Sequence, residues 1–145
     1  MLITGGTAGI GKAVVGRLLE GGARVITTAR RTTAGDLHKD HEPVFIQADL
    51  STAAGCTKIV NEVTSRFGGI DILVSVVGAS SAPSGGFAAL RDEEWQKELN
   101  INLLAAVRLD RGLLHGMIKQ GFGVIIHVSS IQRRPAYSSI YNQSL

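Results

Sequence analysis

The chain has 145 residues, of which 44% are hydrophobic and 19% are charged, and its net charge is +3. This length and composition fit one soluble globular domain with a core of its own. No apolar run is long enough to span a bilayer, and residues 1–3 lack the basic leader of a signal peptide. Because Cys56 is the single cysteine, no internal disulfide can form, and a reducing, cytoplasmic location is expected.

The mild basicity does not by itself indicate a nucleic-acid-binding protein. Most basic residues are scattered, with two doublets, Arg30-Arg31 and Arg133-Arg134. Aromatic residues make up 5% of the chain, which is too few for a base-stacking platform. Scattered surface charge explains the distribution unless the fold brings the doublets together. We therefore expect neither a nucleic acid nor a membrane as a partner.

Short apolar runs alternate with segments of helical periodicity along the chain. The predicted strands, in chain order, cover residues 2–4, 23–29, 43–49, 70–77 and 124–130. The first predicted helix covers residues 12–20. The second is capped by Ser51 and has a face of Ile59, Val60, Val63 and Phe67. The third and longest covers residues 92–119, with Trp95, Leu99, Leu103, Val107, Leu113, Leu114, Met117 and Ile118 mostly on one broad face.

This alternation predicts an α/β fold, since strand–helix–strand units form parallel sheets with helices on both faces. The strands are nearly continuous apolar runs, as expected when both faces of the sheet are covered. Right-handed crossovers then give a doubly wound sheet of about five strands in the order 3-2-1-4-5. The whole chain, residues 1–145, is predicted to be one domain.

The stretch TGGTAGIG, residues 4–11, lies between the first strand and the first helix. Gly5, Gly9 and Gly11 would let the backbone approach a pyrophosphate, and the helix N-terminus offers free N–H groups to it. A dinucleotide site is the favoured interpretation, with a merely tight turn as the alternative. A Walker-type phosphate loop is excluded because no Lys-Ser/Thr pair follows Gly11.

Further short motifs accompany the glycine loop. They are Thr4-Gly5-x-x-x-Gly9-Ile10-Gly11, Asp49-Leu50, Gly68-Gly69-Ile70-Asp71, Asn102 and Ser129-Ser130. With these, the chain resembles the N-terminal part of a short-chain dehydrogenase/reductase over about residues 1–132. The resemblance implies a Rossmann fold and an NAD(P)(H)-dependent oxidoreductase that moves hydride between the nicotinamide and a carbonyl or alcohol substrate. It also implies a homo-oligomer, although part of the usual interface would be missing here.

The resemblance also implies roles for individual residues. The cofactor-binding set would be Thr4, Gly5, Thr7, Gly9, Ile10, Gly11, Asp49, Leu50 and Gly78, with Asp49 bonding the adenine edge. Asn102 would hold a water in a proton relay, and Ser130 would hydrogen-bond the substrate carbonyl. Taken alone, Asn102 would be an ordinary helix-surface residue and Ser130 a cap. No metal site is expected.

The fourth strand ends differently from the family pattern. The family commonly has Asn-Asn-Ala-Gly there, whereas this chain has Ser75-Val76-Val77-Gly78. The backbone turn at Gly78 can survive the change, but the support from two side-chain amides cannot. The sequence therefore predicts a less firmly positioned cofactor.

The second predicted strand ends in Ala29-Arg30-Arg31, with no acidic residue until Asp36. An acidic residue there would bind the ribose hydroxyls of NAD, whereas an arginine can make a forked contact with a 2′-phosphate. NADP(H) is therefore favoured over NAD(H), with Arg30 as the first choice of phosphate partner and Arg31 left open.

The family's catalytic tyrosine follows the serine by about a dozen residues, and a lysine four residues later lowers its pKa. Tyr141, eleven residues after Ser130, is the better candidate, and Tyr137 is the alternative. The position four beyond Tyr141 is Leu145, and no lysine follows Lys119. We therefore expect a truncated chain with a divergent tail over residues 135–145 and a clipped first strand.

Two other functions stay open at this point. One is a catalytically inactive remnant that at most binds a dinucleotide. The other is an interaction module for nucleic acid or protein that uses the basic edge of the sheet, which salt-sensitive binding to DNA would support.

Overall fold

A computed structural model describes residues 1–31, 42–85 and 87–129 of the chain. The predicted residues Ser130, Tyr137 and Tyr141, the second arginine doublet and the divergent tail lie outside these ranges.

Five parallel strands form one sheet in the order β3-β2-β1-β4-β5, so the predicted fold class and strand order are confirmed. The strands are β1 (Leu2–Thr4), β2 (Ile26–Ala29), β3 (Val44–Gln47), β4 (Ile72–Ser75) and β5 (Val124–His127). Four of them are shorter than predicted, because apolar residues continue past the paired ladder. Ile70, for example, is buried but precedes β4.

The helices are α1 (Gly9–Glu20), α2 (Ala53–Phe67), α3 (Asp92–Leu99) and α4 (Ala105–Gln120). Helix α1 begins at Gly9, three residues before the predicted start, so its first turn belongs to the glycine loop. The N-cap of α2 is Thr52 instead of Ser51, since the Thr52 hydroxyl accepts a hydrogen bond from the Gly55 N–H at 3.0 Å.

The predicted helix over residues 92–119 is confirmed in its span, but it is not α-helical throughout. A π-helical segment, Asn100–Leu104, separates α3 from α4, and the Ala105 N–H bonds the carbonyl five residues back. The wider turn rotates the following helix relative to the first. The predicted broad face is not uniformly buried: Leu113 and Met117 are buried, whereas the remaining members are exposed, namely Trp95, Leu99, Leu103, Val107, Leu114 and Ile118.

Two hydrophobic clusters lie on opposite faces of the sheet, as a doubly wound fold requires. The larger packs α2 and α4 against the strands and includes Leu2, Ile26, Ile46, Leu73, Ile59, Val63, Leu109 and Leu113. The smaller packs α1 against the other face and consists of Ile3, Val15, Leu19, Val25 and Val74. The predicted apolar face of α2 thus packs into the larger cluster.

Strand β5 lies at one edge of the described sheet. Its Val124 and Ile126 are 38% and 45% exposed, and Val128 just beyond it is 41% exposed. In the described ranges, none of the helices is both long and apolar enough to cross a lipid bilayer.

Candidate functional site

The carboxyl ends of β1 and β4 meet at the point where the strand order reverses. Ligands of doubly wound sheets bind in the crevice at this position. The loop after β1 is the glycine loop (residues 4–11), and the loop after β4, residues 78–81, is called the clamped loop below.

The conformation of the glycine loop requires glycine, because a side chain would clash or be strained at several positions. A Cβ on Gly11 would lie 2.2 Å from the Gly5 carbonyl oxygen, so only glycine lets α1 pack on the loop. Gly5 and Gly9 have φ of +69° and +50°, which favours glycine. A Cβ on Gly9 would meet no atom within 4 Å, so the backbone faces open space there.

The N-terminus of α1 is free to bind an anion. Its N-cap is Ala8, no side-chain cap is formed within the described residues, and the first turn has no acidic residue. The first N–H groups of a helix have no partner in the helix and carry its positive dipole end. Beside them, Thr7 is half-buried and Ile10 is 65% exposed. This geometry fits a pyrophosphate.

Gly6 was missed by the motif analysis. A Cβ on Gly6 would lie 2.0 Å from the Thr27 hydroxyl oxygen, so a larger residue cannot be accommodated without a shift. The Gly5-Gly6 pair in the sequence was the available signal.

Thr4 is a buried residue that supports the site through hydrogen bonds. It is fully buried, and its hydroxyl oxygen accepts hydrogen bonds from the N–H groups of Val76 at 2.9 Å and Val77 at 3.0 Å. These contacts join the end of β1 to the end of β4. Thr4 therefore anchors the two residues just before the clamped loop, and its place in the cofactor site stays a prediction.

Asn102, in the π-helical segment, holds the clamped loop at Ala79. Its Oδ1 accepts from the Ala79 N–H at 3.0 Å, and its Nδ2 donates to the Ala79 carbonyl at 2.7 Å. A Cβ on Gly78 would lie 3.2 Å from Asn102 Oδ1. The water-holding role of Asn102 stays a prediction.

A cavity of about 600 Å³ lies at the carboxyl edge, beside Gly5 and against the clamped loop, and the other predicted site residues of the glycine loop and Asn102 do not line it. It collects five of the predicted site residues, Gly5, Arg30, Asp49, Leu50 and Gly78. Residues 79–81 form one wall, and Lys97, Glu98, Asn100 and Ile101 continue it. Arg30 lines the cavity, whereas Arg31 is exposed and does not line it.

Asp49 is held as a hydrogen-bond acceptor at the floor of this cavity. Its Oδ1 accepts from the Ser51 hydroxyl at 2.7 Å and from the Ser51 N–H at 3.0 Å. These bonds, with a smaller contribution from the Arg30 charge, lower the pKa of Asp49 below its ordinary value. Arg30 and Asp49 thus place opposite charges at neighbouring strand ends.

A second cavity, of about 710 Å³, lies at the amino ends of the strands, opposite the carboxyl edge. It is lined by Met1, Arg24, Glu42 and Asp71 among others. It is larger, but it has neither a glycine loop nor a free helix N-terminus. We therefore place the candidate site at the carboxyl edge. No cluster of metal-binding side chains occurs in the described residues.

Comparison with known proteins shows the family of this chain. The family model described as short chain dehydrogenase matches residues 1–142. The chain belongs to this family. An uncharacterized oxidoreductase of Bacillus subtilis, YvaG, is 36% identical over 137 residues, which cover 89% of this chain and 50% of that protein. The 3-oxoacyl-[acyl-carrier-protein] reductase FabG of Vibrio cholerae is 32% identical, with 90% and 54% covered.

Solved structures of the family have the same fold. The L-sorbose reductase of Gluconobacter frateurii, complexed with NADPH and L-sorbose, superposes with a TM-score of 0.79 at 35% identity, with 90% of this chain and 51% of that chain covered. A metagenomic short-chain oxidoreductase in complex with NADP gives a TM-score of 0.82 at 28% identity, with 92% and 63% covered. The chain spans about half the length of the curated relatives above.

Proposed function

We propose that this chain is the cofactor-binding part of an NAD(P)(H)-dependent oxidoreductase that interconverts a carbonyl and an alcohol. The observation that supports it most is the 600 Å³ cavity at the carboxyl edge, which brings Gly5, Arg30 and Asp49 together. The relatives named oxidoreductases and reductases support the reaction class.

The described residues fit a dinucleotide. The free N-terminus of α1, with open space at Gly9, suits the pyrophosphate. The Asp49 carboxylate suits a donor group on the adenine edge, and Arg30 suits the 2′-phosphate of NADP(H). The NADPH and NADP complexes of two structural neighbours support this preference over NAD(H).

A bound nicotinamide dinucleotide would supply or accept the hydride. By resemblance, Ser130 would donate a hydrogen bond to the substrate oxygen, Tyr141 would move a proton at that oxygen, and Asn102 would hold a water on the proton path. The substrate is a small carbonyl or alcohol compound. A cytoplasmic location is part of the proposal, supported by the lone thiol of Cys56, which is 1% exposed and whose pKa is raised by burial.

A second candidate function is dinucleotide binding without turnover. Neither Tyr137 nor Tyr141 is followed four residues later by a lysine, since Tyr141 and Leu145 occupy those positions. General acid–base assistance contributes about 10²- to 10⁴-fold to rate. This candidate predicts negligible carbonyl reduction with NADPH, whereas turnover on the order of 10 per second would contradict it.

The Arg30 side chain provides the test of the binding proposal. The purified chain should bind NADPH about ten- to a hundredfold more tightly than NADH, because a hydrogen bond to a charged group contributes roughly 1.5–3 kcal/mol. Arg30→Ala should remove most of this preference and leave NADH affinity nearly unchanged. Fluorescence titration of both cofactors measures it.

Arg31→Ala is the matched control, because it removes the same charge one residue away, outside the cavity lining. It should keep the preference. Equal wild-type affinity for NADPH and NADH would refute the NADP(H) assignment, and binding of neither would refute the dinucleotide site.

A further inference from the structure

Glu98, the penultimate residue of α3, contacts the clamped loop through its side chain. Its Oε1 accepts a hydrogen bond from the Ser81 N–H at 2.8 Å. This is a short, charge-assisted bond between a helix side chain and the far end of the clamped loop. Glu98 also lines the 600 Å³ cavity.

The same residue orients Asn102. The Asn102 Nδ2 donates to the Glu98 carbonyl at 3.0 Å and lies 3.3 Å from Glu98 Oε2. Glu98 thus bonds both Ser81 and the side chain that holds Ala79. The two anchors of the clamped loop are therefore connected through Glu98.

The clamped loop is held at three successive places by side chains from outside it. Thr4 binds the residues just before it, Asn102 binds Ala79 in its middle, and Glu98 binds Ser81 at its end. Residues 79–81 have no strand or helix of their own, and all three are exposed. Their position against the cavity depends on these bonds.

We propose that Glu98 is a positioning residue of the dinucleotide site, which keeps the clamped loop closed against α3 so that the cavity is preformed. This inference rests on the proposed function. For a ligand that binds only the closed loop, the apparent dissociation constant is the intrinsic dissociation constant divided by the closed fraction. Loss of the Ser81 anchor lowers that fraction, and the ligand must then order the loop as it binds.

The test uses Glu98→Ala, which removes the carboxylate, and Glu98→Gln, which keeps an oxygen acceptor for the Ser81 N–H. Alanine is a good helix former, so α3 should be retained. Glu93→Ala is the matched control, since it removes one acidic side chain from the same helix at a position with no side-chain bond in the described ranges.

Amide hydrogen exchange of the free protein gives the first readout. In Glu98→Ala the Ser81 amide should exchange about tenfold faster, because its acceptor is lost. The Val76 and Val77 amides, which Thr4 holds, should keep their rates. Unchanged exchange at Ser81 would overturn the proposal.

NADPH affinity gives the second readout. Glu98→Ala should weaken binding about tenfold, mainly through a slower association rate, because the loss is one of closed population. Glu98→Gln and Glu93→Ala should stay within about twofold of the wild type. Equal affinity of Glu98→Ala despite faster Ser81 exchange would show that the clamp does not serve the site. A wild-type chain that binds neither NADPH nor NADH would refute the proposed function and, with it, the role of Glu98 in binding.

Discussion

The two loops at the carboxyl edge, called the glycine wall and the clamped wall below, are built in opposite ways. The glycine loop is shaped by missing side chains, which let its backbone and the N-terminus of α1 approach a ligand. The clamped loop is shaped by side chains that belong to distant parts of the sequence, Thr4, Glu98 and Asn102. A short motif encodes the first wall, whereas the second depends on contacts that exist only in the folded chain.

The segment before Gly78 is Ser75-Val76-Val77 and lacks the asparagine pair that is common in the family. Thr4 bonds two successive backbone N–H groups in that segment, and Asn102 bonds both polar groups of Ala79. The loop therefore has polar support without the two amides. These bonds support the loop backbone, and the less firm positioning of a cofactor stays a prediction.

The largest expected effect concerns the glycine wall. Gly11→Ala should lower the free energy of unfolding by about 3 kcal/mol or more, because its Cβ would overlap the Gly5 carbonyl. Gly9→Ala should cost only about 1–2 kcal/mol, the cost of a left-handed backbone, since its Cβ meets open space. Urea unfolding measures both. Equal losses would show that close packing of α1 does not shape this wall.

The next effect concerns the clamped wall. Thr4→Val should cost about 2–4 kcal/mol in unfolding free energy, because two backbone N–H groups lose their acceptor. Thr28→Val is the control: Thr28 pairs with Thr4 in register and is equally buried, but its hydroxyl has no partner among the described residues. It should be neutral or stabilising.

Similar losses for Thr4→Val and Thr28→Val in urea unfolding would contradict the anchoring role of Thr4. A loss for Thr28→Val alone would show that the polar support of the clamped loop lies elsewhere.

The smallest effect concerns Asp49 on the cavity floor. Its lowered pKa means that its bonds stabilise the fold above the ordinary aspartate pKa and are lost as pH falls through the folded pKa. Ser51→Ala removes the main cause, so the pKa of Asp49 should rise toward its ordinary value. NMR titration of the Asp49 carboxyl carbon measures this.

Ser65→Ala is the control for Asp49, because the Ser65 hydroxyl bonds the Glu62 carbonyl on α2 instead. An Asp49 pKa that is the same in Ser51→Ala and the wild type would show that the serine bonds do not hold its charge.

Much of the fold follows from the sequence for a physical reason. Strand–helix alternation and right-handed crossovers leave few possible strand orders, and the observed order is the predicted one. The break at residues 100–104 did not follow, since the segment NINLL has no proline or glycine to mark it. Asn102, within this segment, bonds Ala79, a tertiary contact that the periodicity of the sequence does not reveal.

Some residues of the candidate site could likewise be predicted from the sequence, and others could not. Gly5, Arg30, Asp49, Leu50 and Gly78 line one cavity because they follow four neighbouring parallel strands. Glu98 could not be predicted, because a glutamate in an exposed helix has no distinguishing pattern. Which of Arg30 and Arg31 lines the cavity depends on the register of β2, which the alternation of apolar residues alone does not determine.

The central claim is that the carboxyl edge binds a dinucleotide, and amide chemical-shift mapping with NADPH tests it most directly. The account predicts shifts in residues 5–11, Arg30, Asp49, Leu50 and residues 78–81. It predicts none at Met1, Arg24 or Asp71, which line the larger cavity at the other edge. Shifts confined to that opposite cavity, or no shifts at saturating NADPH, would contradict it.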